Sequence, residues 1–200
     1  KNRDLVLKNF EFELKSSKFN NLLYLSSTSV YGNHNGKWVN EKSSLKPSTK
    51  FGKERMLCER KWRKFQKNTN LPINIFRLSG IYSKEFNVIK RLKKGLRTYI
   101  KKNNQYFSRI RVEDIATAID KIFSKKQIKG KIFNVSDNKP ASNEEIVKYG
   151  SRILNIKNLR SISEKDLKSY LAKSFYKDSK KVNNKKLLKV LKLKLKYPSY

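Results

Sequence analysis

The stretch from Leu23 to Gly32 reads LYLSSTSVYG and joins a short apolar run to a polar end. The apolar run, 22–25, is bounded by polar residues, which is typical of a strand buried in a parallel sheet. Serine and threonine side chains follow it directly, over 26–29. Ligands of open α/β sheets bind beyond the carboxyl ends of the strands. The stretch therefore predicts a buried strand whose polar end faces a ligand site.

Strand-like and helix-like patterns alternate over the rest of the chain. Apolar spacing predicts helices over 4–14, 49–67, 85–96, 113–123, 142–154, 163–170 and 185–191. It predicts further strands over 73–76, 106–110, 131–135 and 191–197, the last at a sheet edge because lysines alternate with its leucines. This alternation favours an α/β fold with a parallel core.

Length and composition indicate one folded unit. The 200 residues are 37% hydrophobic and 12% aromatic, which suits a chain with a real core. Cys58 and His34 are single residues of their kind, so neither a disulfide framework nor a Cys/His metal site is expected. No apolar run approaches the roughly 18 residues of a membrane span, and no secretory leader pattern is visible. A cytoplasmic location is expected.

The formal net charge of +33 allows two interpretations. Lysines are scattered along the whole chain, which favours solvated surface lysines over a selected polyanion site. Non-specific, salt-sensitive adhesion to polyanions is expected in either case. A basic nucleic-acid-binding module is kept as a third functional hypothesis, although no recognition-helix, zinc or RNP-like signature accompanies the charge.

Four segments, in this order, resemble one enzyme family. LYLSSTSVYG (23–32) is similar to its strand ending S-[ST]-x-x-V-Y-G, and PSTKFGKERMLCE (47–59) to its P-x-x-x-Y-G-x-x-K helix start. FRLSGIY (76–82) is similar to R-x-x-N-V-Y-G. SRIRVEDIATAI (108–119) and KIFNVSDNKPASNEEIV (131–147) match the segments that follow. The chain thus resembles the extended short-chain dehydrogenases/reductases, also called the NAD-dependent epimerase/dehydratase family, in an atypical form.

The resemblance implies a Rossmann-like, doubly wound parallel sheet that is incomplete at its N-terminus, with a small C-terminal substrate-side region. It begins just before the family's fifth strand, and the G-x-x-G-x-x-G turn that seats a pyrophosphate does not occur in the sequence. Residues 1–77 and 112–135 would form part of the core. Residues 78–111 and 136–200 would cap the cleft. The implied cofactor is NAD or NADP.

The family's catalytic Tyr and Lys, four residues apart on one helix face, fall on Phe51 and Arg55. Its Ser/Thr position falls on Ser27. Phe51 has no hydroxyl and transfers no proton, and the alternative is that it packs in the helix core with Cys58 and Trp62. Arg55 can hold a ribose or phosphate but stays charged.

The resemblance and the sheet-edge rule supply further candidates. Gly80 stands where sugar-nucleotide enzymes usually have Asn, which weakens an assignment to the sugar-nucleotide epimerases in particular. Arg109 and Arg111 are expected either to bind an anionic group of the substrate or to be ordinary surface cations. His34 is a candidate for the lost proton transfer, with Tyr31 and Tyr176 as rivals, or a solvated loop residue. The cofactor candidates are Ser26, Ser27, Arg55, Leu78, Gly80 and Ile81, and the substrate candidates are Ser29, Tyr31, His34, Arg109 and Tyr176.

The first functional hypothesis is an atypical NAD(P)-dependent oxidoreductase or epimerase/dehydratase-like protein. The alternative, prompted by Phe51, is a non-catalytic Rossmann sensor that binds a dinucleotide without turnover. The expected partners are a dinucleotide and an unknown small molecule, with a homodimer possible.

Overall fold

A computed structural model describes residues 4–125 and 128–200 of the chain. The helices are α1 (Leu5–Ser16), α2 (Lys50–Thr69), α3 (Val88–Lys93), α4 (Val112–Ser124), α5 (Asn143–Ile153), α6 (Tyr170–Phe175) and α7 (Lys185–Leu191). The strands are β1 (Leu22–Ser27), β2 (Trp38–Val39), β3 (Ile73–Leu78), β4 (Gly80–Tyr82), β5 (Thr98–Ile100), β6 (Arg109–Arg111), β7 (Ile132–Val135), β8 (Arg160–Ile162) and β9 (Lys181–Val182). No helix of the described ranges is both long enough and apolar enough to cross a membrane.

The central sheet has the order β1-β3-β7, and its strands run parallel. Leu22 pairs with Ile73, and Ile75 pairs with Ile132, so β3 lies in the middle. Parallel pairing places the carboxyl ends of β1 and β3 at one edge of the sheet. β7 covers the second edge of β3, whereas no strand of the described residues pairs with the second edge of β1.

Helices cover both faces of this sheet, as a Rossmann-like fold requires. On one face, Trp62 and Phe65 of α2 pack with Leu7 of α1 and Ile73 of β3. On the other face, the Phe76 and Phe133 rings meet edge to face at 5.9 Å, among side chains of α4 and α7. Residues three and four apart on a helix share a face, which is why Trp62 and Phe65 point together toward the sheet.

The α2 helix is closed at both ends by its own sequence. The Thr49 side chain accepts a hydrogen bond from the Gly52 N–H at 3.1 Å, which is the expected N-cap. Asn70 ends the helix in the left-handed conformation. The predicted 49–67 helix is therefore confirmed and runs two residues further, to Thr69.

Beside the central sheet, two short parallel strand pairs, β4 with β6 and β5 with β8, lie around α3 and α5, and we call these elements the cap. A third pair joins β2 to β9 and ties the C-terminal region to the loop after β1. Ser142 and Glu145 form a capping box at the start of α5. The predicted domain ranges also include 1–3 and 126–127, which lie outside the described residues.

Two elements predicted from the sequence were wrong. Over 163–170 there is a single 3₁₀ turn, Glu164–Asp166, and Ser163 caps this turn rather than a longer helix. Over 191–197 there is no strand in the described structure, because Lys192 turns left-handed at φ 50° and ends α7. The leucines that follow it pack into the core, and the N–H groups of Lys196 and Tyr197 donate to the Asp114 carboxylate.

Candidate functional site

A cavity of about 590 Å³ opens at the carboxyl ends of β1 and β3. The cap closes its far side with residues of α3, β6 and α5. This is the edge at which open α/β sheets bind their ligands. The predicted site residues that line it are Ser27, Ser29, Phe51, Arg55, Leu78, Gly80, Ile81 and Arg109.

The polar end of β1 is shaped by a tight turn. The Ser27 Oγ accepts a hydrogen bond from the Ser29 N–H at 3.1 Å and so caps the 3₁₀ turn Thr28–Tyr31. Gly32 ends this turn at φ 68°, and a Cβ there would lie 1.7 Å from the Lys46 carbonyl oxygen. Only glycine fits such a position. The turn therefore holds Ser27 and Ser29 at the cavity wall.

The first turn of α2 forms the neighbouring wall. A Cβ on Gly52 would lie 2.7 Å from the Ser29 carbonyl oxygen, so glycine lets the helix approach the turn after β1 closely. The Phe51 side chain is 65% exposed and lines the cavity. The alternative that Phe51 packs in the helix core with Cys58 and Trp62 was wrong, because the Phe51 side chain is exposed whereas Trp62, about three turns further along α2, is buried.

Arg55 lies one helical turn after Phe51. Its Nη1 donates to the Leu25 carbonyl oxygen and to the Tyr24 hydroxyl, each at 3.3 Å. The guanidinium is thus tied to β1 while the side chain remains exposed. This arrangement offers a fixed positive charge beside the Ser27 end of the cavity.

Beneath this wall lies a buried polar network. Arg77 of β3 donates from Nε and Nη2 to both carboxylate oxygens of Glu59 on α2, with the shortest contact at 2.7 Å. The Ser26 hydroxyl donates to Glu59 at 2.6 Å. The Tyr31 hydroxyl accepts from Arg77 and donates to Asn134 of β7 at 2.7 Å. The network joins α2 to the central strands.

Three predicted site residues do not line the two cavities that we describe. Ser26 and Tyr31 are buried, and their hydroxyls are committed to the network under the sheet edge. Burial also raises the pKa of Tyr31. The His34 Nε2 lies 3.2 Å from the Ser44 carbonyl oxygen in the loop beyond the turn. The structure therefore places none of these three residues at the cavity wall that Phe51 lines.

A second cavity of about 310 Å³ adjoins the first within the cap. Tyr176, a predicted substrate residue, lines this cavity rather than the larger one. Burial raises its pKa, so the phenol keeps its proton at neutral pH. The side chains common to both cavities are Arg91, Phe107, Arg109, Asn143 and Phe175.

Sequence reasoning missed several cavity residues. Lys180 lines the larger cavity, and burial lowers its pKa. Arg91 and Tyr200 line the cavity as well. Nothing in the sequence distinguishes Lys180 and Arg91 from the many surface cations, and Tyr200 reaches the cavity only because the segment after α7 folds back over α4.

Asp137, just after β7, is a buried carboxylate close to this site. One of its oxygens accepts from the Lys139 N–H at 3.2 Å, while Oδ2 has no hydrogen-bond partner among the described residues. Burial is the main reason that the pKa of Asp137 is raised to about 7. Arg109 opposes this shift by its charge.

The fold and the cavity define a class, which is an α/β protein with a ligand cleft at the carboxyl edge of a Rossmann-like parallel sheet. The model of the NAD dependent epimerase/dehydratase family matches residues 11–136. The chain belongs to this family. No curated protein sequence matches the chain.

Three solved structures illustrate the similarity. A functionally unknown conserved protein from Silicibacter pomeroyi is 32% identical with a TM-score of 0.90, over 98% of this chain and 69% of its own. A UDP-glucuronic acid 4-epimerase from Bacillus cereus, in complex with NAD, is 18% identical with a TM-score of 0.78, over 98% and 62%. A dTDP-glucose 4,6-dehydratase from Bacillus anthracis, also with NAD, is 18% identical with a TM-score of 0.76, over 96% and 60%. The chain thus spans less than two thirds of the length of the latter two enzymes.

Proposed function

We propose that this chain supplies the catalytic edge and the substrate cap of an NAD(P)-dependent oxidoreductase of the epimerase/dehydratase-like type, with an atypical active site. The observation that carries the proposal is the shared wall of Ser27, Phe51 and Arg55 at the carboxyl end of β1. In this proposal, residues 1–77 and 112–135 belong to the Rossmann core. Residues 78–111 and 136–200 cap the cleft.

The residues at this wall fit the nicotinamide half of a dinucleotide. Phe51 and Ile81 present exposed apolar surface against which a flat ring can pack. Arg55, anchored on Leu25, provides a cation for a ribose or phosphate oxygen. A bound nicotinamide supplies hydride transfer. The G-x-x-G-x-x-G segment that binds a pyrophosphate in this family does not occur in the sequence, so these residues account for part of such a site.

Ser27 is the group best placed to bind a substrate oxygen. Its Oγ accepts from the Ser29 N–H, which leaves the hydroxyl proton available for a substrate carbonyl or alkoxide. Phe51 contributes no proton transfer. Tyr82 lines the same cavity, and burial raises its pKa to about 12, so this phenol keeps its proton at neutral pH, while its hydroxyl donates to the Ser199 carbonyl oxygen at 3.5 Å.

A second candidate function is a sensor that binds a dinucleotide without turnover. The exposed Phe51 ring favours it, because an apolar side chain occupies the place where the family's proton-transferring tyrosine would stand. The two functions share the same cofactor wall. They differ in whether a bound substrate is converted.

Titration of the purified protein with NADH and NADPH, followed by nucleotide fluorescence, tests the shared part of both functions. We expect Arg55→Ala to weaken binding at least about tenfold, because charge-assisted hydrogen bonds contribute roughly 1.5–3 kcal/mol. Arg63→Ala is the matched control, since it removes the same charge from an exposed position on the same helix. Equal affinity in both variants would remove Arg55 from the site. Turnover by the wild-type protein on a panel of aldehydes and sugar nucleotides would exclude the sensor.

A further inference from the structure

The guanidinium of Arg109 lies where the two cavities meet, since Arg109 lines both of them. Its Nη1 donates to the carbonyl oxygens of Phe107 and Ala141 at 2.9 and 3.1 Å. Within residues 4–125 and 128–200, no carboxylate forms an ion pair with it. Burial lowers the pKa of Arg109. A charge that is partly removed from water is costly unless a counter-charge or hydrogen bonds compensate it, so this half-buried cation favours a bound anion.

Two aromatic rings hold this guanidinium in place. Its Cζ lies 5.7 Å from the centre of the Phe107 ring and 5.4 Å from that of Tyr200. The Tyr200 hydroxyl is itself fixed, because it accepts a hydrogen bond from the Val88 N–H at the start of α3. An arginine oriented in this way presents its remaining N–H groups in a fixed plane, which suits a carboxylate or phosphate.

A second arginine faces the same junction. Arg91, from α3, lines both cavities and is exposed. Among the described residues, four cations line the larger cavity against one carboxylate, that of Asp178. The Ser48 hydroxyl already donates to this carboxylate at 2.6 Å. The charge in the cleft therefore favours an anionic ligand.

The smaller cavity supplies the other half of the ligand's chemistry, because its walls beyond the junction are mostly apolar. The Asn143 amide oxygen there is occupied, since it accepts from the Ile100 N–H at 2.7 Å. The apolar and aromatic side chains that line the cavity are Leu96, Tyr99, Ile100, Ile162, Leu167 and Tyr176. Ligand sites commonly combine such apolar walls with a few convergent polar groups.

Asp137 is the internal group that could neutralise Arg109, and it does so incompletely. Its carboxylate lines neither cavity, and its hydrogen bonds are with backbone groups, among them the Lys139 N–H. With a pKa raised to about 7 by burial, it is only partly ionised at neutral pH. The side of Arg109 that faces the cavities therefore keeps its need for an external anion.

We propose that the substrate is an amphipathic acid, whose phosphate or carboxylate group binds Arg109 and Arg91 and whose apolar group fills the smaller cavity. The inference rests on the proposed function, since the reacting end of such a molecule would extend into the larger cavity toward Ser27. It restricts the substrate to molecules that join an oxyanion to an apolar skeleton.

Isothermal titration with simple probes tests this inference without any dinucleotide. The probes are phenyl phosphate and phenylacetate, with inorganic phosphate, acetate and benzyl alcohol as partial ligands. Titrations are run at about 0.15 M salt, where exposed charges are screened beyond roughly 8 Å. We expect one aryl acid to bind at least about tenfold more tightly than its partial ligands, because only it uses both the cation and the apolar cavity. Which acid binds distinguishes a phosphate from a carboxylate substrate.

Variants locate the binding. Arg109→Met and Arg91→Met should each weaken the preferred aryl acid about tenfold or more, and the exposed position of Arg91 guards against an effect on folding. Arg63→Met is the control for the net charge and should change affinity less than about twofold. Equal losses in all three variants, or no preference for the aryl acids, would overturn the inference. Dinucleotide binding without aryl-acid binding would refute this inference alone, and the reverse result would refute only the proposed cofactor site.

Discussion

Arg77, which is buried, and Arg109, which is half-buried, have opposite surroundings. Arg77 donates to both oxygens of Glu59 and to the Tyr31 hydroxyl, and its side chain is 2% exposed. Burial by itself lowers the pKa of Arg77, but its contacts with Glu59 hold that pKa above the ordinary value. Arg109 has two carbonyl oxygens and two aromatic rings around it, and burial holds its pKa below the ordinary value.

The difference separates a residue of the scaffold from a residue of the cleft. The charge of Arg77 is matched inside the fold, and its network joins α2 to β3 and, through Tyr31, to β7. The charge of Arg109 is left facing two cavities. The fold neutralises one guanidinium fully and leaves another partly unmatched at the wall of the cleft, which supports the proposed role of Arg109 in ligand binding.

The largest expected effect comes from breaking the scaffold pair. Glu59→Gln leaves the Arg77 charge buried without a counter-charge, so we expect a loss of about 3–5 kcal/mol in the free energy of unfolding. Urea denaturation followed by circular dichroism measures it. Glu11→Gln removes the same charge from an exposed i,i+4 pair with Lys15 and should cost only about 0.3–0.5 kcal/mol. A small loss in Glu59→Gln would mean that the buried network does not hold the helix to the sheet.

The next effect concerns the partial counter-charge of Arg109. The pKa of Asp137 is raised to about 7 in the folded protein, against about 3.9 for an unfolded Asp. Between these values the folded state binds the proton more tightly, so the contribution of Asp137 to stability falls as pH rises from about 4 to about 7. The loss is up to about 4 kcal/mol and levels off above pH 7.

Asp137→Asn isolates this contribution, because the amide stays neutral at every pH. We expect the variant to gain stability relative to the wild type as pH rises across that window, in urea melts at matched pH values. Parallel stability curves for the two proteins would show that Asp137 titrates normally and that Arg109 has a full internal counter-charge.

The sequence predicted the central part of the fold well. The run 22–25, the capped helix from Thr49 and the strand after Pro72 are local patterns, and each has its own start signal. Ser27, Phe51, Arg55 and Arg109 were predicted as site residues, and all four line one cavity. Their roles in chemistry stay predictions.

Other features depend on contacts that no local pattern carries. The leucines after Leu191 alternate like a strand, yet they pack as an irregular segment because the Asp114 carboxylate takes the N–H groups that a sheet would use. Tyr31 was predicted to be a site residue. Its hydroxyl instead donates a hydrogen bond to Asn134, a residue that is distant in sequence. Lys180 becomes a cavity residue through burial alone, which a lysine-rich sequence does not reveal.

The smallest expected change in stability gives the most direct test of the difference between Arg77 and Arg109. Arg109→Met should change the free energy of unfolding by less than about 1 kcal/mol, whereas Arg77→Met should cost about 3–5 kcal/mol by stranding Glu59. The carbonyl oxygens that Arg109 contacts already accept hydrogen bonds from each other's residues, Phe107 and Ala141, at 3.1 Å, so its removal leaves no acceptor unpaired. Methionine keeps contact with the Phe107 and Tyr200 rings.

Urea denaturation of both variants, side by side, gives the measurement. Similar losses of unfolding free energy in the two variants would mean that Arg109 stabilises the cap and does not serve ligand binding. A cation that only binds a ligand can be removed from the free protein without a large loss of stability.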